Sequence, residues 1–514
     1  MNTVIRDVQI YDGSGTAPFY GNVILEQDRI KEVIRIAEPS GPCRYSLAPG
    51  FIDVHAHSDL TLLAAPEVYS KISQGITSEI SGNCGQSFFP VSEKNRSHLE
   101  RLCKNYHVPL EWNSFSSYLA VLKKAAPAIN YNFLCGQGTL RAAVMGYDPG
   151  KASAGQLKEM CRFLHEIMEQ GACGISTGLL YVPGRFSDLD ELQTVMAVLK
   201  SYSGVYATHL RSEGDQLEEA VDEALTLARA GSGILQLSHL KTALKTNWHK
   251  LDAVLQKIEH ARQEGLQVFA DRYPYTFGQT SLSIILPGEY ADMTDAAIQE
   301  RLSHDPAECE RLIDWFRRNT ELDWTQVILS FSSLRDYQPY LGLSMAEIGE
   351  KLQCHPADSL MAILVKDAAR AQGAFGGLSP DNMRKILQQD YVCCGSDENA
   401  RPLSFELGRS HPRGFGAFPR FINTLRASGI PMEETIRRVT SLPAQIFGLK
   451  DRGLIRAGYY ADLVLFEENK LKDAATFAAP HSAAEGIVSV YVNGVNSFAD
   501  GNVLARAGRF LDRI

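Results

Sequence analysis

The feature that most constrains the fold is a rhythm. Through the middle of the chain, short apolar, β-branched runs alternate with longer helical patterns. The runs are Phe51–His55, Ile76–Ser81, Tyr131–Gly136, Cys173–Thr177, Val205–His209, Ile234–His239, Gln267–Asp271 and Tyr391–Ser396. Between them, Ser153–Glu169, Asp188–Lys200, Gln216–Ala230 and Trp248–Glu264 read as helices. The last of these carries Leu251, Val254, Leu255, Ile258 and Ala261 along one stripe, the spacing of an amphipathic helix. Eight such units predict an α/β protein built on a (β/α)8 TIM barrel.

Both ends of the chain have a different character. Val4–Ile10, Asn22–Glu26, Asp462–Phe466 and Gly486–Val492 read as strands, and Asp12-Gly13-Ser14-Gly15 and Asn493-Gly494 as turns. Neither end is long enough to form a sandwich alone. Residues 1–49 and 451–514 are therefore expected to share one small β-sandwich domain, leaving 50–450 to the barrel. The stretch from Arg272 to Asp390 is too long for a bare loop and has helical patterns and a β-like piece, Val327–Ser332. It predicts an inserted subdomain at about 280–350, placed to cover a site.

Composition removes several function classes. With 51 Lys and Arg against 60 Asp and Glu, the net charge is −9, and no basic block offers a nucleic-acid footprint. No apolar run approaches the roughly 20 residues of a membrane span, and the N-terminus does not read as a secretory signal. Ten cysteines in 514 residues are too sparse for a disulfide scaffold and read as reduced thiols. The expectation is a cytoplasmic enzyme whose partner is a small molecule, with no nucleic acid and no membrane. The oligomeric state is not readable.

In a TIM barrel the site lies at the C-terminal ends of the strands. The first run ends in His55-Ala56-His57, and residues i and i+2 of a strand face the same way. The second leads into Cys84. The fifth ends in His209 and the sixth in His239, each followed two residues later by a cation, Arg211 or Lys241. The eighth ends in Asp397. Taken singly, each has an ordinary explanation: polar residues where a strand meets a loop, a buried thiol, a helix-capping Asp. Taken together, they fall in register with the barrel. Imidazoles that hold a metal lower the pKa of its bound water from 15.7 towards about 7. Asp397 then stands where a proton must move, and Arg211 and Lys241 suit a substrate carboxylate. The pattern predicts metal-assisted hydrolysis of an amide-like bond.

These residues resemble the amidohydrolase superfamily, and within it the D-aminoacylase, or N-acyl-D-amino-acid deacylase, family. The matching stretches are PGFIDVHAHSD, SGNCGQSFFP, GISTGLLYVPG, YATHLRSEG, LQLSHLKTA, DRYPYT, GSDENARP, HPRGFGAFPRF and TSLPAQIFGL, with GLIRAGYYADLVLF and GIVSVYVNG near the end. The resemblance implies zinc held tightly by Cys84, His209 and His239. It implies a second, weaker or empty site at His55, His57 and Asp397, with Asp397 as general acid/base. It further implies that Lys241, Tyr273 and Tyr181 hold the substrate; Arg413 either reaches the site or braces its loop. The implied reaction is hydrolysis of N-acyl-D-amino acids to a carboxylate and a free D-amino acid. The alternatives are another amidohydrolase acting on a cyclic or related carboxylated amide, and a catalytically silent scaffold.

Three departures bear on this. The fourth run, Cys173-Gly174-Ile175-Ser176-Thr177, has no lysine to bridge two metals, which argues against the hydantoinase and dihydroorotase branches. Gln279 stands where the family has a serine near the substrate carboxylate. Gln137 stands where many relatives have histidine.

Overall fold

The structure is a computed structural model, and it describes residues 3–41, 44–319 and 322–513. All eight runs form strands of one parallel sheet: Phe51–Asp53, Ile76–Ser81, Asn130–Gly136, Gly174–Gly178, Val205–His209, Ile234–Leu237, Gln267–Asp271 and Val392–Cys393. Each pairs with the next in chain order, and the eighth lies beside the seventh. The sheet curls until its edges meet. There the Asp397 N–H donates to the His55 carbonyl at 2.8 Å and Ala56 bridges Glu398 in parallel.

The connecting helices fall where the apolar stripes place them. Ala154–Glu169 starts at Ser153, whose hydroxyl accepts from the Gln156 N–H while Gln156 reaches back, a capping box that satisfies two orphan donors. Leu217–Ala230 and Leu251–Gln263 lay buried faces on the sheet. Asp188–Lys200 is shorter as an α-helix, Leu189–Met196, because its last turn tightens into a 3₁₀ segment. The strands are almost wholly buried, as a parallel sheet covered by helices requires.

The terminal segments share one eight-stranded sheet. Thr3–Ile10 pairs with Phe19–Glu26 on one side and with Ser46–Pro49 on the other, and Ser46–Pro49 pairs with Leu463–Phe466 from the far end of the chain. Ile10, Val23, Leu47 and Leu463 form its core.

Between the seventh and eighth barrel strands sits a separate layer. Its three antiparallel strands, Gly278–Ser281, Val327–Phe331 and Gln372–Phe375, carry Gln372–Phe375 in the middle. Four helices pack a core of their own that includes Leu312, Phe316, Leu329 and Leu360. This layer reaches past the expected end near 350, because its central strand lies at 372–375 and holds the other two together.

Candidate metal centre

Donor groups from five barrel ends converge. His55 and His57 lie just beyond the first strand, with rings 5.3 Å apart and edge-on. His57 Nε2 lies 3.1 Å from Asp397 Oδ1 and His55 Nε2 lies 3.4 Å from it. Cys84 Sγ lies 3.3 Å from His55 Nε2 and 3.5 Å from His239 Nε2. The His209 ring stands edge-on to His239 at 4.5 Å.

His209 closes its own strand; the other strands stop short of these residues, and the turns do the aiming. Cys84, His239 and Asp397 have φ of +52°, +37° and +51°. A left-handed backbone costs a residue with a side chain about 1–2 kcal/mol, and such strain gathers at functional sites. The turn carrying Cys84 also presses on the fourth strand. A Cβ on Gly178 would lie 2.0 Å from the Cys84 carbonyl oxygen, so only glycine lets the two backbones meet there.

Two carboxylates, one buried and one partly buried, orient the imidazoles. Asp271, at the end of the seventh strand, lies 3.1 Å from His55 Nδ1 and accepts the His239 N–H at 2.9 Å and Gln236 Nε2 at 3.1 Å. Glu213 lies 3.0 Å from His239 Nδ1 and 3.9 Å from His209 Nε2, and it pairs with Lys241.

The electrostatics oppose what burial alone would do. Burial pushes the Cys84 thiol up, but the imidazoles of His55 and His239 outweigh it and hold the thiol well below its ordinary value. Burial also raises the Asp397 carboxyl, and Arg413, His55 and His239 bring it well below the usual carboxylate range. Conversely, burial lowers His57 and His239, and their anionic neighbours carry both up to about 9. Thiolate, carboxylates and imidazoles thus form one mutually attracting set, in which protons sit where a cation would bind.

The donor chemistry fits a divalent ion. One ligand atom each from His55, Cys84, His239 and Asp397 lie within 4.8 Å of one another, and His209, Glu213 and His239 form an adjoining group. The buried His209 Nε2 has no hydrogen-bond partner among the described residues, as expected of a nitrogen kept for a ligand. Thiolate with imidazole suits zinc. The distances do not separate two triads: Cys84 lies against His55 as closely as against His239.

A model of the amidohydrolase family matches residues 46–332 and 346–498. The chain belongs to the amidohydrolase family. It is similar to an N-acyl-D-glutamate deacylase of Alcaligenes xylosoxydans xylosoxydans, 31% identical over 100% of this chain and 97% of that one. A D-aminoacylase of the same organism is also 31% identical, over 98% and 96%. Among solved structures it is similar to the N-acyl-D-glutamate deacylase of Bordetella bronchiseptica, complexed with zinc and a phosphonate mimic of the tetrahedral intermediate. The TM-score is 0.82 and the identity 29%, covering 99% of this chain and 98% of that one.

In this amidohydrolase the metal centre floors a cavity of about 1560 Å³ walled by the barrel loops and the inserted layer. Lys241, Tyr273, Tyr181 and Arg413 all line it. Lys241 Nζ lies 2.8 Å from His239 Nδ1. Burial raises the Tyr273 phenol, but Lys241, Arg272 and Arg413 outweigh it and lower its pKa. Tyr181 lies 4.9 Å from the His209 ring, with its hydroxyl 3.2 Å from Thr280 Oγ1. Arg413 opens the helix Arg413–Ala427 and places Nη1 2.9 Å from Asp397 Oδ2.

Arg211 also lines the cavity, with its charge matched. Its guanidinium pairs with Glu223 at 2.9 Å and donates to the carbonyls of Arg185 and Ser187. The strand ends at His209, so Arg211 does not share that residue's direction. Gln279 lines the cavity, and its buried Oε1 has no hydrogen-bond partner among the described residues. Gln137 is a packing residue, donating to Ser187 Oγ at 2.8 Å.

Asp271 and Glu213 escaped the sequence reading. Asp271 closes the seventh run in the same register as His209 and His239, and that register was its signal. Glu213 sits in a loop and had none.

Among the described residues no helix is long and apolar enough to cross a membrane.

Proposed function

We propose that this chain is a zinc-dependent deacylase that hydrolyses the amide bond of N-acyl-D-amino acids, releasing a carboxylate and a free D-amino acid. The observation that carries the reading is the meeting of Cys84, His55, His239 and Asp397 donors within 4.8 Å at the mouth of the barrel. Full-length similarity to enzymes named for N-acyl-D-amino acids gives the substrate class and its stereochemistry.

Cys84, His209 and His239 would hold zinc, with His55, His57 and Asp397 offering a second position. Zinc bound there supplies a Lewis acid and an acidified water. The remaining chemistry belongs to the chain. Asp397 is held ionised by Arg413 at 2.9 Å, so it accepts the proton of the attacking water. It then delivers that proton to the amide nitrogen as the C–N bond breaks, and the amine leaves neutral. Lys241 and the acidified Tyr273 receive the substrate α-carboxylate, and Tyr181 closes the side near His209. Glu213 and Asp271 fix the imidazoles. A cytosolic setting suits a site that depends on a reduced thiolate.

The test is direct. Zinc-loaded protein should release free amine from N-acetyl-D-amino acids and not from their L-enantiomers, and a chelator should abolish the activity. Failure of a zinc-loaded preparation to hydrolyse any of a broad N-acyl-D panel would overturn the reading. Turnover of cyclic amides instead would favour the alternative amidohydrolase activity.

A further inference from the structure

The basic residues around the cavity divide into two sets. Near the metal centre each has a carboxylate: Lys241 has Glu213 and Arg413 has Asp397. Further out, Arg211 has Glu223 and Arg185 has Asp292 at 2.8 Å. Arg101 lies 2.8 Å from His98 Nδ1, and on another wall Arg370, Arg401 and Arg409 have no carboxylate within ion-pair distance among the described residues, although all three line the same cavity.

These three share one neighbourhood. The Arg370 guanidinium lies 5.9 Å from the centre of the Phe331 ring. The same ring packs 2.9 Å from where a Cβ of Gly408 would stand, and Arg401 Nη1 lies 3.9 Å from that point. Arg409 is the next residue in the chain. Arg401 and Arg409 sit on the loop between the eighth barrel strand and the helix opening at Arg413. Arg401 follows Asp397 by four residues, a chain reach of at most about 14 Å.

Arg401 is the residue that demands explanation. It is 6% exposed, one N–H of its guanidinium goes to the Leu407 carbonyl, and its buried Nε has no hydrogen-bond partner among the described residues. A guanidinium does not lose its proton in a protein, so a buried one needs an anion or a full set of acceptors. Among the described residues Arg409 donates only to the carbonyls of Phe477 and Ala478. Glu406, the exposed acid of the same loop, forms no ion pair among the described residues. The positive field is felt nearby: burial, joined by the charges of Arg401 and Arg409, pushes His481 down to about 4. A chain of net charge −9 thus keeps an anion-seeking wall in its cavity.

We propose that the substrate carries a second carboxylate beyond its α-carboxylate, and that Arg401 and Arg409 receive it, with Arg370 adding attraction from the rim. This rests on the deacylase reading above and narrows it. The second carboxylate has two sources, the side chain of an acidic D-amino acid or the far end of a dicarboxylic acyl group.

Three substrates separate these outcomes: N-acetyl-D-glutamate, N-succinyl-D-leucine and N-acetyl-D-leucine, assayed with the zinc-loaded full-length enzyme. One of the first two should exceed N-acetyl-D-leucine in kcat/KM by at least tenfold, and which one identifies the source. That ratio should fall at least fivefold, mainly through KM, in Arg409→Met and Arg401→Met. It should recover in part in Arg401→Lys, which keeps the charge if loss of the Leu407 bond unsettles the loop. The preference should also shrink as salt rises. Equal or faster turnover of N-acetyl-D-leucine, or a preference that survives in Arg409→Met and Arg401→Met alike, would overturn the proposal and leave the deacylase reading standing. If none of the three is hydrolysed, the proposal falls, and the broad N-acyl-D panel decides the deacylase reading.

Discussion

His55 Nδ1 lies 3.1 Å from Asp271 Oδ1, and both side chains are fully buried. The pair joins the end of the first barrel strand to the end of the seventh. It fixes the His55 ring so that Nε2 faces Cys84 and Asp397. The same carboxylate accepts the His239 backbone N–H, so one side chain sets the positions of two imidazoles.

Asp271→Asn should therefore weaken metal binding without touching a ligand. The amide keeps the shape and loses the charge that favours a proton on Nδ1, and outer partners of this kind are worth about 10–100-fold in metal affinity. A competition titration against a zinc chelator measures the loss, with circular dichroism confirming the fold. Unchanged affinity would show that His55 is oriented by packing alone.

The sequence made the barrel legible because a parallel strand covered on both faces must be apolar throughout, and eight such runs leave little choice of architecture. It also made legible the residues at the run ends, since their register is a property of the chain. Direction beyond the strand ends was not legible. Cys84, His239 and Asp397 turn on positive φ, so two-residue alternation stops applying there. Lys241 reaches the centre all the same, while Arg211 swings to Glu223, a residue twelve positions on in a helix. Glu213 was invisible because its role comes only from tertiary contact with His239 and Lys241.

Arg211 provides the second prediction. Its guanidinium is matched by Glu223 and two carbonyls, and both side chains are partly exposed. Arg211→Met should lower stability by about 1 kcal/mol once solvent screening is allowed for. It should leave KM for an N-acyl-D-amino acid within about twofold, because no unmatched charge is removed from the cavity. A KM rise of tenfold or more would return Arg211 to the substrate.

Asp397→Asn tests the proton route. Arg413 and the imidazoles keep Asp397 ionised, and a carboxylate that carries a proton contributes about 10²–10⁴-fold to turnover. The variant should lose kcat on that scale while Cys84, His209 and His239 retain zinc. Zinc per chain, measured beside kcat, separates this from simple loss of metal. A variant that keeps more than a tenth of wild-type kcat would move the proton transfer to another group.

Beneath the centre, Lys71, Asp53 and Glu79 are all fully buried, with Lys71 Nζ 2.7 Å from Asp53 Oδ2 and 3.7 Å from Glu79 Oε2. Burial raises Glu79 from 4.5 to about 7, with Asp53 adding to the rise against Lys71. The folded state therefore binds more protons than the unfolded chain between about pH 4.5 and 7, and stability falls as pH rises through that window before levelling off. The loss is bounded at roughly 3 kcal/mol by the size of the shift. Glu79→Gln cannot ionise, so the wild type should lose stability relative to this variant between pH 5 and pH 8. Denaturant unfolding of both at the two pH values, with zinc held constant, measures the difference. A difference that does not change with pH would mean that Glu79 stays charged throughout, paired with Lys71 and accepting from Ser58 and Ser81.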